Sequence, residues 1–185
     1  MAAGAGLVLA VENHQDFTSE ELIVMADEAG VGIVLDTGNP FAVGEDPLAF
    51  VQRAGDRIRH VHLKDYVAQF TAEGYRLVRC AVGDGCVPFA ELAAALPALI
   101  TASIEPGALE ARHIRLFSPE WWRGYPRREA AELAMVLGRL QRRKLAEDAD
   151  SRTPWERHEP SPAIREYELA QINRSVQNVR LMGLM

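Results

Sequence analysis

Short apolar runs set between helical patterns constrain this chain more than any other feature. Leu7-Val-Leu-Ala-Val11 and Val31-Gly-Ile-Val-Leu35 have the look of strands buried on both faces, and Ile100-Thr-Ala-Ser-Ile104 is a comparable run. Helix signals fill the spaces. Thr18-Ser19-Glu20-Glu21 is a capping pattern, followed by a stripe of Leu22, Ile23, Met25, Ala26 and Ala29 that stops at Gly30. Asp46-Pro47 reads as the cap and first position of a helix through about Ala54, with Gly55 near its end. Strands alternating with helices predict a parallel sheet built from β-α units.

A further strand is predicted over Ile58-Arg-His-Val-His-Leu-Lys-Asp-Tyr66, and it is of another kind. Its period-two alternation puts His60, His62 and Lys64 on one face and Val61 and Leu63 on the other. Two imidazoles and an ammonium do not make an ordinary packed face: buried, they need partners, and exposed, they waste a strand. A satisfied core histidine beside a solvated lysine is the competing structural reading.

Beyond it, Phe70 to Val82 predicts a small hairpin around Glu73-Gly74, and Gly83-Asp-Gly85 a tight turn. A helix is expected over Phe89–Leu99, a long loop through Arg112-His113 and Trp121-Trp122-Arg-Gly-Tyr-Pro126, and a helix from about Arg128 to Lys144. Residues 146–162 are polar and contain proline, so they read as a linker or arm. A last helix from about Ser161 to Met182 has Ile164, Tyr167, Leu169, Ile172, Val176 and Val179 on an apolar side, expected to pack on the outside of the domain or on a partner subunit. The chain thus divides into residues 1–145, a β-α unit series, and residues 146–185, a C-terminal linker and helix.

Composition narrows the function. With 185 residues, 48% hydrophobic and 25% charged, the chain can bury one sizeable core. A net charge of −6 argues against a broad nucleic-acid footprint. No apolar run approaches the roughly 18–20 residues of a membrane span, and Met1-Ala-Ala-Gly-Ala-Gly6 has neither a basic nor an apolar signal region. Cys80 and Cys86 lack C-x-x-C spacing and read as free thiols, so a cytoplasmic location is expected.

Glu12, Asp36, His62 and Glu105 fall at or just past the carboxyl ends of the strand runs, where the loops of parallel α/β folds converge on one face. One carboxylate at a strand end commonly caps the next helix. Such a residue at each of successive strand ends, one inside a His-x-His-x-Lys-Asp run, points to a metal site. An oxygen-dominated set with one imidazole favours Mn²⁺, Mg²⁺ or Co²⁺, with Zn²⁺ a further candidate.

At these residues the chain resembles a known family. VLAVENH at 8–14, GIVLDTGNP at 32–40, RHVHLKD at 59–65, GDGCVPF at 83–89 and SIEPG at 103–107 look like the sugar phosphate isomerase/epimerase family, in that order and spacing. The resemblance covers residues 7–145. It implies the C-terminal half of a xylose isomerase-like (β/α)₈ TIM barrel, also found in inosose dehydratases, ketose 3-epimerases and endonuclease IV. It implies that Glu12, Asp36, His62 and Glu105 are the metal ligands, with His60 one layer deeper, and that Glu12 and Glu105 also exchange the substrate's proton. Asn39 stands where a substrate-contacting histidine often sits in the epimerases, a departure from the pattern.

The chemistry suits these residue types. Removing a proton next to a carbonyl requires a base and something to hold the resulting enediolate charge; a divalent ion gripping adjacent oxygens does the second. Lys64 is a candidate contact for a substrate oxygen or phosphate, or else a salt-bridge partner near Asp65. His14 flanks the pocket or makes a loop hydrogen bond. Trp121, Trp122 and Arg123 form a sugar- or phosphate-binding wall, or clamp the last helix. Cys86 reads as structural.

The expected substrate is a small sugar or sugar phosphate, converted by an isomerase or epimerase or by an inosose-dehydratase-like lyase. An endonuclease IV-like phosphodiesterase and an inactive barrel fragment serving as an interaction module remain as alternatives. A full barrel has eight strands in typically about 250 residues. The runs found here account for half of it, so the first four β-α units are expected to have been lost, through a late start codon or a truncated gene, or else to be supplied by a completing chain or homo-oligomer.

Overall fold

The computed structural model describes residues 6–97 and 100–183. Two sheets organise it. Strands β1 (Ala10–Glu12), β2 (Gly32–Asp36), β3 (Ile58–Leu63) and β6 (Thr101–Ile104) form a parallel sheet in the order β1-β2-β3-β6. Strands β4 (Asp65–Thr71), β5 (Gly74–Cys80) and β7 (Arg112–Ile114) form an antiparallel sheet in that order.

Helices α1 (Ser19–Ala29), α2 (Pro47–Ala54) and α3 (Phe89–Ala95) follow β1, β2 and the hairpin in the chain. The capping signals act as expected. Thr18 accepts from the Glu21 backbone N–H, Glu21 reaches back to the Thr18 backbone, and Gly30 closes α1 in the left-handed conformation. Asp46 caps α2 through the N–H groups of Leu48 and Ala49. Leu22, Ala26, Phe50, Val51, Phe89 and Leu92 from these helices join Ile33, Leu35, Val61 and Leu63 of the sheet in one buried cluster.

A bulge decides which way β3 faces. Ile33 pairs with Ile58 but Val34 pairs with His60, so Arg59 is the extra residue. Ile58 and Val61 can therefore both enter the helix-side core, while His60 and His62 turn to the other face. Gly32 is required beside this irregularity, because a Cβ there would lie 2.4 Å from Arg59 Cγ.

Several elements differ from their sequence expectations. The strand expected over Ile58–Tyr66 is two: β3 ends at Leu63 and the hairpin strand β4 begins at Asp65. Asp65 makes the break. Its carboxylate accepts from the backbone N–H groups of Gly83, Gly85, Val87 and Tyr66, which ties β4 to the glycine-rich turn. Leu7, Val8 and Leu9 are 63%, 70% and 59% exposed instead of buried, because β1 is an edge strand paired with β2 alone among the described residues. Helix α3 stops at Ala95, since Leu96 precedes Pro97 and takes an extended conformation; Leu99 of the expected helix lies outside the described residues. Arg112-His113, expected in a loop, pair with β5.

Helix α4 (Ala130–Arg142) is anchored by Arg139, which reaches Asp46 and Glu91. Residues 146–160 then run along the hairpin, with Gln69 Nε2 donating to the Ala149 carbonyl at 2.8 Å and Arg76 paired with Glu156. Helix α5 (Ser161–Leu181) buries its apolar stripe only in part: Val179 is buried, Ile164, Tyr167, Ile172 and Val176 are half-buried and Leu169 is exposed, while the polar Gln171, Ser175 and Asn178 also turn inward. The surface that α5 meets is backbone: Ser175 Oγ accepts from Val82 N at 3.0 Å and Asn178 Nδ2 donates to Val82 O at 2.8 Å. No described helix is long and apolar enough to cross a membrane.

Candidate metal centre

The parallel register carries the four candidate ligands to one end of the sheet. Glu12 ends β1, Asp36 ends β2, His62 lies next to the end of β3, and Glu105 immediately follows β6. Ladder bonds hold these ends in line: Thr37 N donates to His62 O and Glu105 N to Leu63 O, both at 3.0 Å. One ligand atom from each of Glu12, Asp36, His62 and Glu105 lies within 4.8 Å of the others. His62 Nδ1 is 3.1 Å from Glu12 Oε1 and 3.3 Å from Glu105 Oε2.

Lys64 is part of the cluster's electrostatics. Its side chain is 2% exposed, and its ammonium touches Asp36 Oδ2 and, at 2.8 Å, Glu105 Oε1. Asp36 is fully buried. Its Oδ1 accepts from Gly38 N and Asn39 N, while Oδ2 has the Lys64 ammonium against it and accepts no hydrogen bond among the described residues. Burial pushes Asp36 up to about 6, opposed by the charge of Lys64. Burial draws Lys64 down, but the Asp36 charge together with the hydrogen bonds to Asp36 and Glu105 and the Tyr66 phenol holds the ammonium above its ordinary value. Burial would raise Glu105 too, yet the hydrogen bond and charge of Lys64, with Arg79, keep it below the ordinary carboxylate range.

These groups fit a divalent cation. Oxygen donors converging with one imidazole match hard, mid-sized ions, and the mutual spacing allows all of them to reach one centre. Charge favours a cation as well: the carboxylates of Glu12, Asp36 and Glu105 outnumber the Lys64 ammonium and the Arg79 guanidinium beside them.

The other residues singled out in the sequence fall in various places. His60 lies one layer deeper, as expected, with its ring nitrogens 2.7 Å from Thr101 Oγ1 and 2.9 Å from Ser103 Oγ. His14 is exposed and paired with Asp16. Asn39 is fully buried, and its amide donates to Asn13 O at 2.9 Å. Trp122 donates through Nε1 to Leu116 O, Trp121 packs edge-on against it, and Arg123 pairs with Glu120. The structure gives Trp122 and Arg123 these local partners and no contact with the ligand cluster. Cys86 is buried, and burial pushes its thiol up to about 12, in keeping with a structural role.

Residues that sequence reasoning passed over also converge here. Arg79, from the hairpin strand β5, places Nη2 3.6 Å from Glu105 Oε1 and donates through Nη1 to Pro106 O at 2.9 Å. Tyr66 OH accepts from Gln15 Nε2 at 3.1 Å. Asn13 and Thr37 brace the strand ends, Thr37 Oγ1 donating to Lys64 O at 2.7 Å. Only the alternation of Tyr75-Arg-Leu-Val-Arg-Cys80 hinted that Arg79 had a preferred face; its reach to Glu105 depends on how the hairpin folds back.

A parallel α/β sheet with a carboxylate–imidazole cluster at its carboxyl end defines a class, the barrel-type α/β folds whose sites sit at the strand ends. A family model for the xylose isomerase-like TIM barrel matches residues 1–102. The chain belongs to that family. It is similar to inosose dehydratase of Clostridium beijerinckii, 36% identical over 81 residues, which is 38% of this chain and 27% of the relative. Inosose dehydratase of Lacticaseibacillus casei is 39% identical over 57 residues, 31% of this chain and 19% of the relative. The uncharacterized protein YihM of Escherichia coli is 28% identical over 91 residues, 48% of this chain and 28% of the relative. The matched segments thus span less than a third of these relatives' lengths.

Proposed function

We propose that this chain carries the metal centre of an enzyme that removes a proton from the carbon next to a carbonyl in a sugar or cyclitol. The observation behind this reading is the convergence of Glu12, Asp36, His62 and Glu105 within 4.8 Å at the carboxyl end of a parallel sheet. A bound divalent ion supplies Lewis-acid charge for the negative charge that develops on the substrate's oxygens.

The protein groups supply the rest. Glu12 and Glu105 stand on β1 and after β6, the two edges of the described sheet, and flank His62. One can take a proton and the other return one, the general acid–base pairing of an isomerase or epimerase. Glu105 is held ionised and in place by Lys64 and Arg79, so it can accept a proton, though with less basicity than a free carboxylate. Asp36 is buried and locked by backbone N–H groups, which suits it to ligation alone.

A lyase outcome is the second reading. It is favoured by similarity to proteins named inosose dehydratase. It shares the first step, after which a neighbouring hydroxyl leaves as water.

Two measurements test this. Metal analysis of purified protein should find one divalent ion per chain, lost on Glu105→Gln or His62→Ala. No stoichiometric metal, or metal indifferent to both substitutions, would refute the centre. Incubation with candidate ketoses and inososes in D₂O, followed by NMR, should then show deuterium entering the carbon next to the carbonyl. A new ketose or epimer identifies the first reading, and loss of water the second.

A further inference from the structure

A small cavity of about 210 Å³ adjoins the metal centre on its hairpin side, and its lining is cationic. Arg79 and Arg112 both face it, with Gln15, Tyr66, His14 and Glu110 among the polar groups around them. Arg79 joins the two places, since it lines the cavity and its guanidinium stands 3.6 Å from Glu105 Oε1. Arg112 is exposed and forms no ion pair among the described residues. It sits on β7 and is brought here by its pairing with Leu77 of β5. Gln15 and Tyr66 are already oriented, the amide donating to the phenol oxygen at 3.1 Å and to Asn39 Oδ1 at 3.3 Å.

Charge makes this arrangement unusual for a bystander surface. The adjacent ligand cluster is rich in carboxylates, yet here two guanidinium groups face one carboxylate, Glu110. A planar guanidinium with free N–H groups favours phosphate or carboxylate oxygens, which it can grip in a bidentate manner. The cavity is smaller than the roughly 300–1,000 Å³ typical of whole-ligand pockets, so it accommodates one end of a molecule whose other end reaches the metal centre.

We infer that the cavity walled by Arg79 and Arg112 is a subsite for the anionic end, phosphate or carboxylate, of the substrate. The inference rests on the proposed metal-centred reaction for what lies beside it, and it narrows the substrate class to sugar phosphates or sugar acids. Arg112 is the specificity-determining residue, because Arg79 is partly committed to Glu105 and the Pro106 carbonyl.

Binding can be tested apart from turnover. The metal-depleted 185-residue chain is titrated with inorganic phosphate and, separately, with acetate, so that neither anion can bind through a metal. One saturable site is expected, weakened about tenfold by Arg112→Ala, as the loss of a charge-assisted contact predicts, and largely restored by Arg112→Lys. Preference for phosphate or for acetate identifies the anionic group. Circular dichroism of each variant controls for folding.

With Mn²⁺ present, Arg112→Ala should raise KM about tenfold for a ketose phosphate or keto-sugar acid, with kcat and the KM of a neutral ketose unchanged. Absence of anion binding to the unsubstituted protein, or binding indifferent to Arg112→Ala, overturns the subsite whatever the metal centre does. Arg112-dependent binding without deuterium exchange on any substrate supports the subsite and counts against the reaction.

Discussion

Lys64→Met is the substitution whose outcome the cluster determines most sharply. The side chains of Lys64 and Asp36 are 2% and 0% exposed, so neither charge has water to fall back on. Removing one partner of such a pair leaves an uncompensated buried charge, which costs about 3–5 kcal/mol. In chelator, Lys64→Met should therefore lose stability of that order, read as a lower urea midpoint by circular dichroism. A divalent ion can replace the missing ammonium. At 100 times its Kd, a ligand that binds only the folded state contributes about 2.7 kcal/mol. The gain from Mn²⁺ should be larger in the variant than in the unsubstituted protein, because the ion no longer competes with a cation for Asp36 and Glu105. Two unit charges about 4 Å apart at an effective dielectric near 20 interact by about 4 kcal/mol, and a third of that is about a tenfold tighter Kd. If Lys64→Met is as stable as the unsubstituted protein in chelator, the Asp36–Lys64 pair does not carry the burden assigned to it. If Mn²⁺ restores nothing, the cluster does not hold the ion.

Three further outcomes are expected. Gly107→Ala would place a Cβ 2.3 Å from Arg79 Nη1, displacing the guanidinium that steadies the Glu105 loop; calorimetric Mn²⁺ affinity should drop, and adding Arg79→Met should cause little further loss. Burial pushes Asp65 up to about 6 from its ordinary 3.8, against four backbone N–H groups. Its folded value lies above its unfolded one, so the associated stability is full below 3.8 and is lost as pH rises through about 6, by roughly 3 kcal/mol. Urea unfolding as a function of pH should show that loss in the unsubstituted protein and a loss smaller by about that amount in Asp65→Asn, where the part due to Asp36 remains. Thr18→Ala removes the side chain that caps α1 and should lower stability by about 1 kcal/mol in urea unfolding.

Much of this protein is determined locally and was legible in its residues. The capping box at Thr18, the Asp46-Pro47 helix start, the β2 run and the hairpin turn at Glu73-Gly74 all act within a few positions, so hydrogen bonding and burial periodicity there do not depend on distant partners. The convergence of Glu12, Asp36, His62 and Glu105 could also be anticipated, because successive parallel strands bring their carboxyl ends to one side whatever their packing.

Other features belong to the tertiary structure alone. The bulge at Arg59 arises from pairing with β2. The turn of chain between Leu63 and Asp65 follows from the capture of Asp65 by N–H groups around 20 residues away. Helix α5 buries Ser175 and Asn178 alongside Val179 because the surface it meets presents backbone groups in need of partners. Arg79 is brought beside Glu105, and Arg112 to the cavity that Arg79 lines, only by the folding of β5 and β7 into one antiparallel sheet. Residue pattern determines what each strand end offers chemically. Long-range pairing decides which charges stand next to it, since a side chain's electrostatic neighbours are set in space and not along the chain.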